Sequence, residues 1–188
     1  MAGRWSLHLF DWARYSELAP GLVAACVDGD FDDIDDDEAQ TILAELHEDA
    51  DTTEVCNSLL LELCVTAESA IFDTRLPAVL LWLRKQPEAE DAADTIASLI
   101  SQNPNIEDWF ACESGLVGLF TVEEVSALEE LLAPFKRRYQ PAKKQGGILA
   151  ITRLFATSEA YGENVEDLLA IVSEAAGRRA GLAAVLEE

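Results

Sequence analysis

The stretch DTTEVCNSLLLELCV, residues 51–65, decides the expected fold. Asp51 and Glu54 stand three residues apart, the spacing of a capping pair that opens a helix. The helix then contains Leu59, Leu60, Leu61, Leu63, Cys64 and Val65, which make it too apolar all round to lie at the surface. The pattern therefore predicts a helix at the centre of the protein.

Apolar residues recur at helical spacing on both sides of this stretch, from Asp11 onward and again from Thr74 to about Leu182. Thr121 and Glu124 form the clearest capping box in the chain, and the last turn of the helix that they open is basic. Strict alternation occurs once, in Trp5, Leu7 and Leu9, and indicates either a short strand or an extended lead-in. Helix is the default elsewhere, including a short helix near Leu182.

We therefore predict an all-α fold, a compact irregular domain of about seven to nine short helices over residues 1–188. A small α-solenoid is the alternative, although no block repeats at a fixed period. A linker-like run of Pro, Lys and Gly over residues 140–147 marks a sub-boundary, with a C-terminal helical hairpin expected at 148–188. An apolar content of 49% with only 10 Gly and 6 Pro excludes collagen-like and disordered classes.

Charge is the most unusual property of the chain: 36 acidic residues against 13 basic ones leave a net charge of −23. Such a field repels phosphate backbones and anionic lipid, so we expect neither direct nucleic-acid binding nor membrane association. The longest apolar run, Leu76–Leu83, is far shorter than a spanning helix. Four scattered cysteines and the lack of a secretion signal in residues 1–10 favour a reduced, cytoplasmic protein.

The acid residues concentrate between Asp28 and Glu54, where thirteen occur without a Lys or Arg. One interpretation is a solvated loop whose last acids stabilise the N-terminus of the next helix through its dipole. The other is a docking surface for a cationic partner, since clustered carboxylates accelerate association with cations and reject anionic competitors. The residues predicted to contact that partner are Asp28, Asp30, Asp32, Asp33, Asp35, Asp36, Asp37, Glu38, Glu45, Glu48, Asp49 and Asp51.

Metal binding finds little support in these residues. Asp28, Asp30 and Asp32 match the first three ligand positions of an EF-hand loop, but Asp33 replaces its glycine and Ala39 replaces its final glutamate. The two histidines lie far apart and outside zinc-binding spacings, and no nucleophile motif is present. We expect no metal, no cofactor and no identifiable catalytic residue.

Basic residues cluster as well, after residue 135. The cluster ends a helix, where the dipole favours cations, and either folds against the acidic stretch or binds an anion. The residues assigned to this possible anion site are Lys136, Arg137, Arg138, Lys143 and Lys144.

These observations favour an acidic protein-binding module that engages a basic protein. Its most concrete form is a stoichiometric inhibitor, similar to an immunity protein or antitoxin or to a nucleic-acid mimic, that covers a phosphate-gripping surface. The alternatives are an enzyme or enzyme subunit with a carboxylate site, and a helical scaffold or homo-oligomer subunit with a salt-adapted surface. The aromatic group Trp5, Phe10, Trp12 and Tyr15 is either core or an interface anchor, and core is preferred.

Overall fold

A computed structural model describes residues 3–31, 34, 36–45, 52–101, 115–139 and 161–187. Seven helices and four strands lie in these ranges. In chain order they are β1 (Arg4–Phe10), α1 (Trp12–Asp28), α2 (Asp37–Glu45), α3 (Thr52–Cys64), β2 (Val65–Asp73), α4 (Leu76–Leu83), α5 (Glu90–Ser101), β3 (Gly115–Phe120), α6 (Val122–Arg138), α7 (Gly162–Arg178) and β4 (Gly181–Glu187). Within those ranges, none of the helices has the length and apolar character needed to cross a membrane.

The strands form one antiparallel sheet in the order β2-β1-β4-β3. The central pair joins β1 to β4 in an unbroken register, from Arg4 opposite Glu187 to Phe10 opposite Gly181. The outer pairs are less regular, since β1 with β2 and β3 with β4 each contain register shifts. The middle of the sheet is therefore built from segments that are far apart in sequence.

Helices pack on both faces of the sheet and divide the core into two clusters. Alternate residues of β1 face opposite ways, because successive side chains of a strand point to opposite faces. Leu7 and Leu9 join the cluster formed with α4, α5, α6 and α7. Phe10 and Ala183 join the cluster formed with α1, α2 and α3. The protein is thus a three-layer arrangement with the sheet in the middle.

The all-α prediction is wrong, and the small α-solenoid fails with it, because a four-stranded sheet separates the helices. The alternating Trp5, Leu7 and Leu9 do belong to a strand, β1. Val65, which the apolar run assigned to the central helix, is instead the first residue of β2, directly after α3 ends at Cys64. With no turn residue between them, the composition gives no sign of the boundary.

The short helix expected near Leu182 is also wrong, whereas the predicted C-terminal helical hairpin at 148–188 stays a prediction, because its first helix lies outside the described residues. Residues 162–178 form a helix, but the short helix expected near Leu182 is strand β4. Residues 181–186 of β4 are buried on both faces. The strand therefore lacks the alternating polar residues by which a half-exposed strand is recognised in a sequence. The proposed sub-boundary at 140–147 lies outside the described residues.

The starts of α1 and α6 lie where the sequence predicts them. The capping box at Thr121 is confirmed: Glu124 N donates to Thr121 Oγ1 at 3.1 Å, and Thr121 N donates to Glu124 Oε2 at 2.8 Å. Asp11 caps α1 by accepting a hydrogen bond from Arg14 N at 3.0 Å. Short-range chemistry therefore predicted where helices begin more reliably than which segments were strands.

Candidate functional site

The segment between β1 and β2, whose described residues form α1, α2 and α3, carries most of the charge of the protein. Residues 11–64 contain sixteen acids and one base, Arg14, a net charge of −15 out of −23. The other 134 residues together carry −8. We call the outer surface of α1, α2 and the segment that joins them the acidic face. Of the residues that the sequence assigned to partner binding, the described part of this face contains Asp28, Asp30, Asp36, Asp37 and Glu38.

A groove of about 540 Å³ runs along α1 on the acidic face. Its floor is apolar and includes Leu18, Leu22, Ala25 and Ile34. Carboxylates line it as well, and these are Glu17, Asp28, Asp30 and Asp36. An apolar floor beneath carboxylates suits a long side chain whose stem is aliphatic and whose end is cationic.

Backbone geometry at the end of α1 sets the position of two of these acids. Gly29 has a φ of +68°, a left-handed conformation that glycine adopts without strain, and it ends the helix. Asp30 N then donates to Ala25 O at 3.2 Å. Asp28 is the last residue of α1, where the helix dipole disfavours negative charge. A cation bound here would relieve that repulsion.

Asp36 has the opposite placement, at the start of α2. Its Oδ1 accepts a hydrogen bond from Ala39 N at 2.9 Å, which makes it the cap of this helix. That bond, together with the charge of Arg14, holds the pKa of Asp36 below its ordinary value. Asp37 and Glu38 occupy the first turn of α2, where the dipole favours anions. These three acids therefore stabilise α2 as the sequence suggested.

Arg14 is the internal counterion of the acidic face. One of its guanidinium nitrogens lies 3.0 Å from Asp36 Oδ2 and 3.2 Å from Glu38 Oε2. This contact ties α1 to α2 and neutralises part of the charge. Because residues 11–64 contain no second base, most of their acids have no cation within that segment.

The remaining predicted contact residues divide in two. Glu45 is the last residue of α2, at the far end of that helix from Asp36. The others lie outside the described residues, and these are Asp32, Asp33, Asp35, Glu48, Asp49 and Asp51.

The predicted basic cluster lies in the opposite helical layer, at the end of α6. Lys136 Nζ contacts Glu129 Oε1 at 2.7 Å and bonds Ser173 Oγ, while Arg138 contacts Glu88 Oε1 at 3.0 Å. Arg137 is exposed, and Lys143 and Lys144 lie outside the described residues. For the part that the structure describes, these cations pair with acids of their own layer and do not cover the acidic face.

Within the described ranges of residues 3–187, no group of three His, Cys, Asp or Glu side chains is placed to hold a metal ion. Of the calcium-like triplet, Asp28 and Asp30 both line the groove, and Asp32 is not described.

The N-terminal aromatic residues belong mostly to the core, as preferred from the sequence. Phe10 is fully buried and meets Tyr15 edge-on, with ring centroids 5.2 Å apart. Trp12 stacks on Tyr15 at 5.3 Å. Trp5 points to the other face of the sheet and joins the cluster with α4 to α7.

Sequence reasoning missed three features. Arg14 could have been found, because it is the single base in residues 11–64. Glu17 lines the groove from within α1, and nothing in its spacing distinguishes it from other helical acids. Ser6 and His8 lie two apart on one face of β1, with Ser6 Oγ 2.8 Å from His8 Nε2, a contact that only the strand assignment reveals.

No protein family, curated protein or solved structure matches this chain.

Proposed function

We propose that the protein is an acidic protein-binding module whose acidic face engages a basic protein. The observation that carries the proposal is the net charge of −15 in residues 11–64, whose only base, Arg14, is already bound to Asp36 and Glu38. Like charges concentrated in one segment repel one another, and a cationic partner would relieve the repulsion.

The distribution of charge favours a partner over a salt-adapted surface. Adaptation to solvent would leave the excess of acids spread along the whole chain, whereas residues 11–64 hold 16 acids with one base and the other 134 residues hold 20 acids with 12 bases. Asp28 also occupies an unfavourable position at the end of α1. A charge placed at such a cost supports a role in recognition.

The titration of Asp36 argues against a role for this residue as a general acid at the groove. A catalytic general acid needs a raised pKa so that it still holds its proton near neutral pH. The pKa of Asp36 is lowered instead, chiefly by the Ala39 N–H and then by Arg14, which keeps the carboxylate ionised. A permanently charged carboxylate fits binding of a cation.

In its most concrete form the module is a stoichiometric inhibitor. A partner that binds nucleic acid presents a surface of Lys and Arg, and an array of carboxylates on α1 and α2 could occupy that surface in place of phosphates. Binding would then be fast, 1:1 and weakened by salt, because electrostatic steering dominates the association rate.

The test separates the acidic face from net charge. The face variant combines Asp28→Asn, Asp30→Asn and Asp37→Asn. The control variant combines Glu123→Gln, Glu130→Gln and Glu166→Gln, all exposed on α6 and α7. Both variants change the net charge by the same three units, so non-specific attraction of cations falls equally in both. Thermal melts of both variants establish that they are folded.

Affinity capture from the native host with the wild-type chain supplies candidate partners, and titration calorimetry then measures each one. We expect a basic protein to bind wild type and control 1:1 with similar affinity and to bind the face variant at least roughly tenfold more weakly, the equivalent of about 1.4 kcal/mol. Recovery of no basic partner, or equal weakening by the two variants, would remove the proposal.

A further inference from the structure

A second cavity lies on the sheet itself, away from the acidic groove. It has a volume of about 370 Å³, within the range of small-molecule sites. Leu61 and Val65, at the junction of α3 and β2, form one side, and Val185 of β4 and Gly115 of β3 form another. His8 of β1 and Glu187 of β4 are its polar lining residues. Apolar walls with a few polar groups are typical of ligand sites.

A hydrogen bond to Ser6 holds the imidazole of His8 in place. Ser6 Oγ lies 2.8 Å from His8 Nε2, and Ser6 is only 3% exposed, so this contact is partly buried. Because Ser6 bonds Nε2, a ligand in the cavity would bond the other ring nitrogen, Nδ1. Burial lowers the pKa of His8, against an opposing effect of Glu187, and so keeps the ring uncharged near neutral pH.

A neutral imidazole can present Nδ1 in two ways. If Ser6 donates to Nε2, Nδ1 carries the proton and donates; if Nε2 donates to Ser6, Nδ1 accepts. A hydroxyl group both donates and accepts, so it fits either tautomer, whereas a carboxylate only accepts and an ammonium only donates. The carboxylate is further disfavoured by Glu187 in the lining and by the net charge of −23.

We propose that this cavity, which we call the His8 cavity, binds small uncharged apolar molecules that carry one hydroxyl group, such as phenols and naphthols. The ring system lies against Leu61, Val65 and Val185, and the hydroxyl group bonds His8. This site does not depend on the proposed function of the acidic face, because none of its lining residues lines the acidic groove.

Three probes of one shape test the ligand class: 2-naphthol, naphthalene and 2-naphthoate, each titrated into the full chain and followed by amide NMR. We expect 2-naphthol to bind roughly 2- to 12-fold more tightly than naphthalene, the effect of one net hydrogen bond. We expect 2-naphthoate to bind more weakly than 2-naphthol. The largest shifts should fall on Val65, Gly115 and Val185. Equal affinities for the three probes, shifts centred elsewhere, or no saturable binding would each overturn the proposal.

Variants separate the hydroxyl contact from the apolar cavity. His8→Phe should keep naphthalene binding and abolish the advantage of 2-naphthol, whereas a merely structural role for His8 would weaken both probes equally. Val185→Phe should block all binding by filling the cavity. Leu131→Phe is the matched control, since Leu131 is an exposed residue of α6 outside the cavity lining, and it should bind like wild type. If Val185→Phe fails to fold, the wild-type shift map still decides the question.

Discussion

Gly181→Ala tests the position of β4 directly. The substitution should raise the stability of the protein if residue 181 lies in a helix and lower it if residue 181 lies in the sheet. Were residues near Leu182 helical, alanine would stabilise the protein by up to about 1 kcal/mol relative to glycine. In the sheet, a Cβ on Gly181 would lie 2.7 Å from the carbonyl oxygen of Phe120 and 3.6 Å from that of Phe10. The first distance is closer than real Cβ atoms come, and backbone must move to relieve it.

Overpacking of this kind costs about 1–3 kcal/mol. For a chain of this length, each kcal/mol shifts the Tm by roughly 2–4 °C, so Gly181→Ala should lower the Tm by roughly 2–12 °C. Gly177→Ala is the matched control: Gly177 is an exposed residue of α7 where an added Cβ would meet open space, and alanine there should raise the Tm. Both are measured by circular dichroism melts. A Tm for Gly181→Ala at or above that of wild type would refute the position of β4 between β1 and β3.

Three further predictions concern single residues. Thr121→Ala should destabilise the protein by about 1 kcal/mol in urea titration, because it removes the cap of α6, and a change under about 0.3 kcal/mol would contradict that. Burial raises the pKa of the Cys64 thiol to about 11, so peptide mapping after iodoacetamide at pH 8 should find Cys64 unmodified in the folded protein and modified in guanidinium. Burial lowers the pKa of His8 in the folded state. As the pH falls, His8 is therefore protonated in the unfolded chain before it is protonated in the folded chain. Wild type should lose stability relative to His8→Gln as the pH falls through about 6.5, and a constant difference in Tm from pH 8 to pH 5 would count against it.

The helices could be predicted from sequence because their signals are local. The capping box of Thr121 and Glu124 lies within four residues, and the apolar run Leu76–Leu83 forms the helix that it predicts. The sheet could not be predicted from sequence, because β4 is defined by its pairing with distant segments. Its residues GLAAVLE are typical of a helix by composition, and their burial on both faces hides the alternation of a strand.

The candidate site, too, could be predicted from the sequence only in part. Counting acids identified the region, since Asp28, Asp30 and Asp36 do line one groove. What the count could not supply is the role of each acid. Asp36 caps a helix and binds Arg14, whereas Asp28 stands at a helix end that disfavours it. These roles depend on where α1 ends and α2 begins, which is a matter of backbone geometry.

The pairing of β1 with β4 has a consequence for biosynthesis. Contacts between them span up to 183 residues, and they hold the sheet together, since β3 reaches β1 only through β4. During translation, the apolar surfaces of β1 and of the helices on both its faces stay exposed until β4, which ends at residue 187, has left the ribosome. A co-translational folding assay with stalled chains should therefore find protease resistance arriving late and abruptly, after β4 emerges.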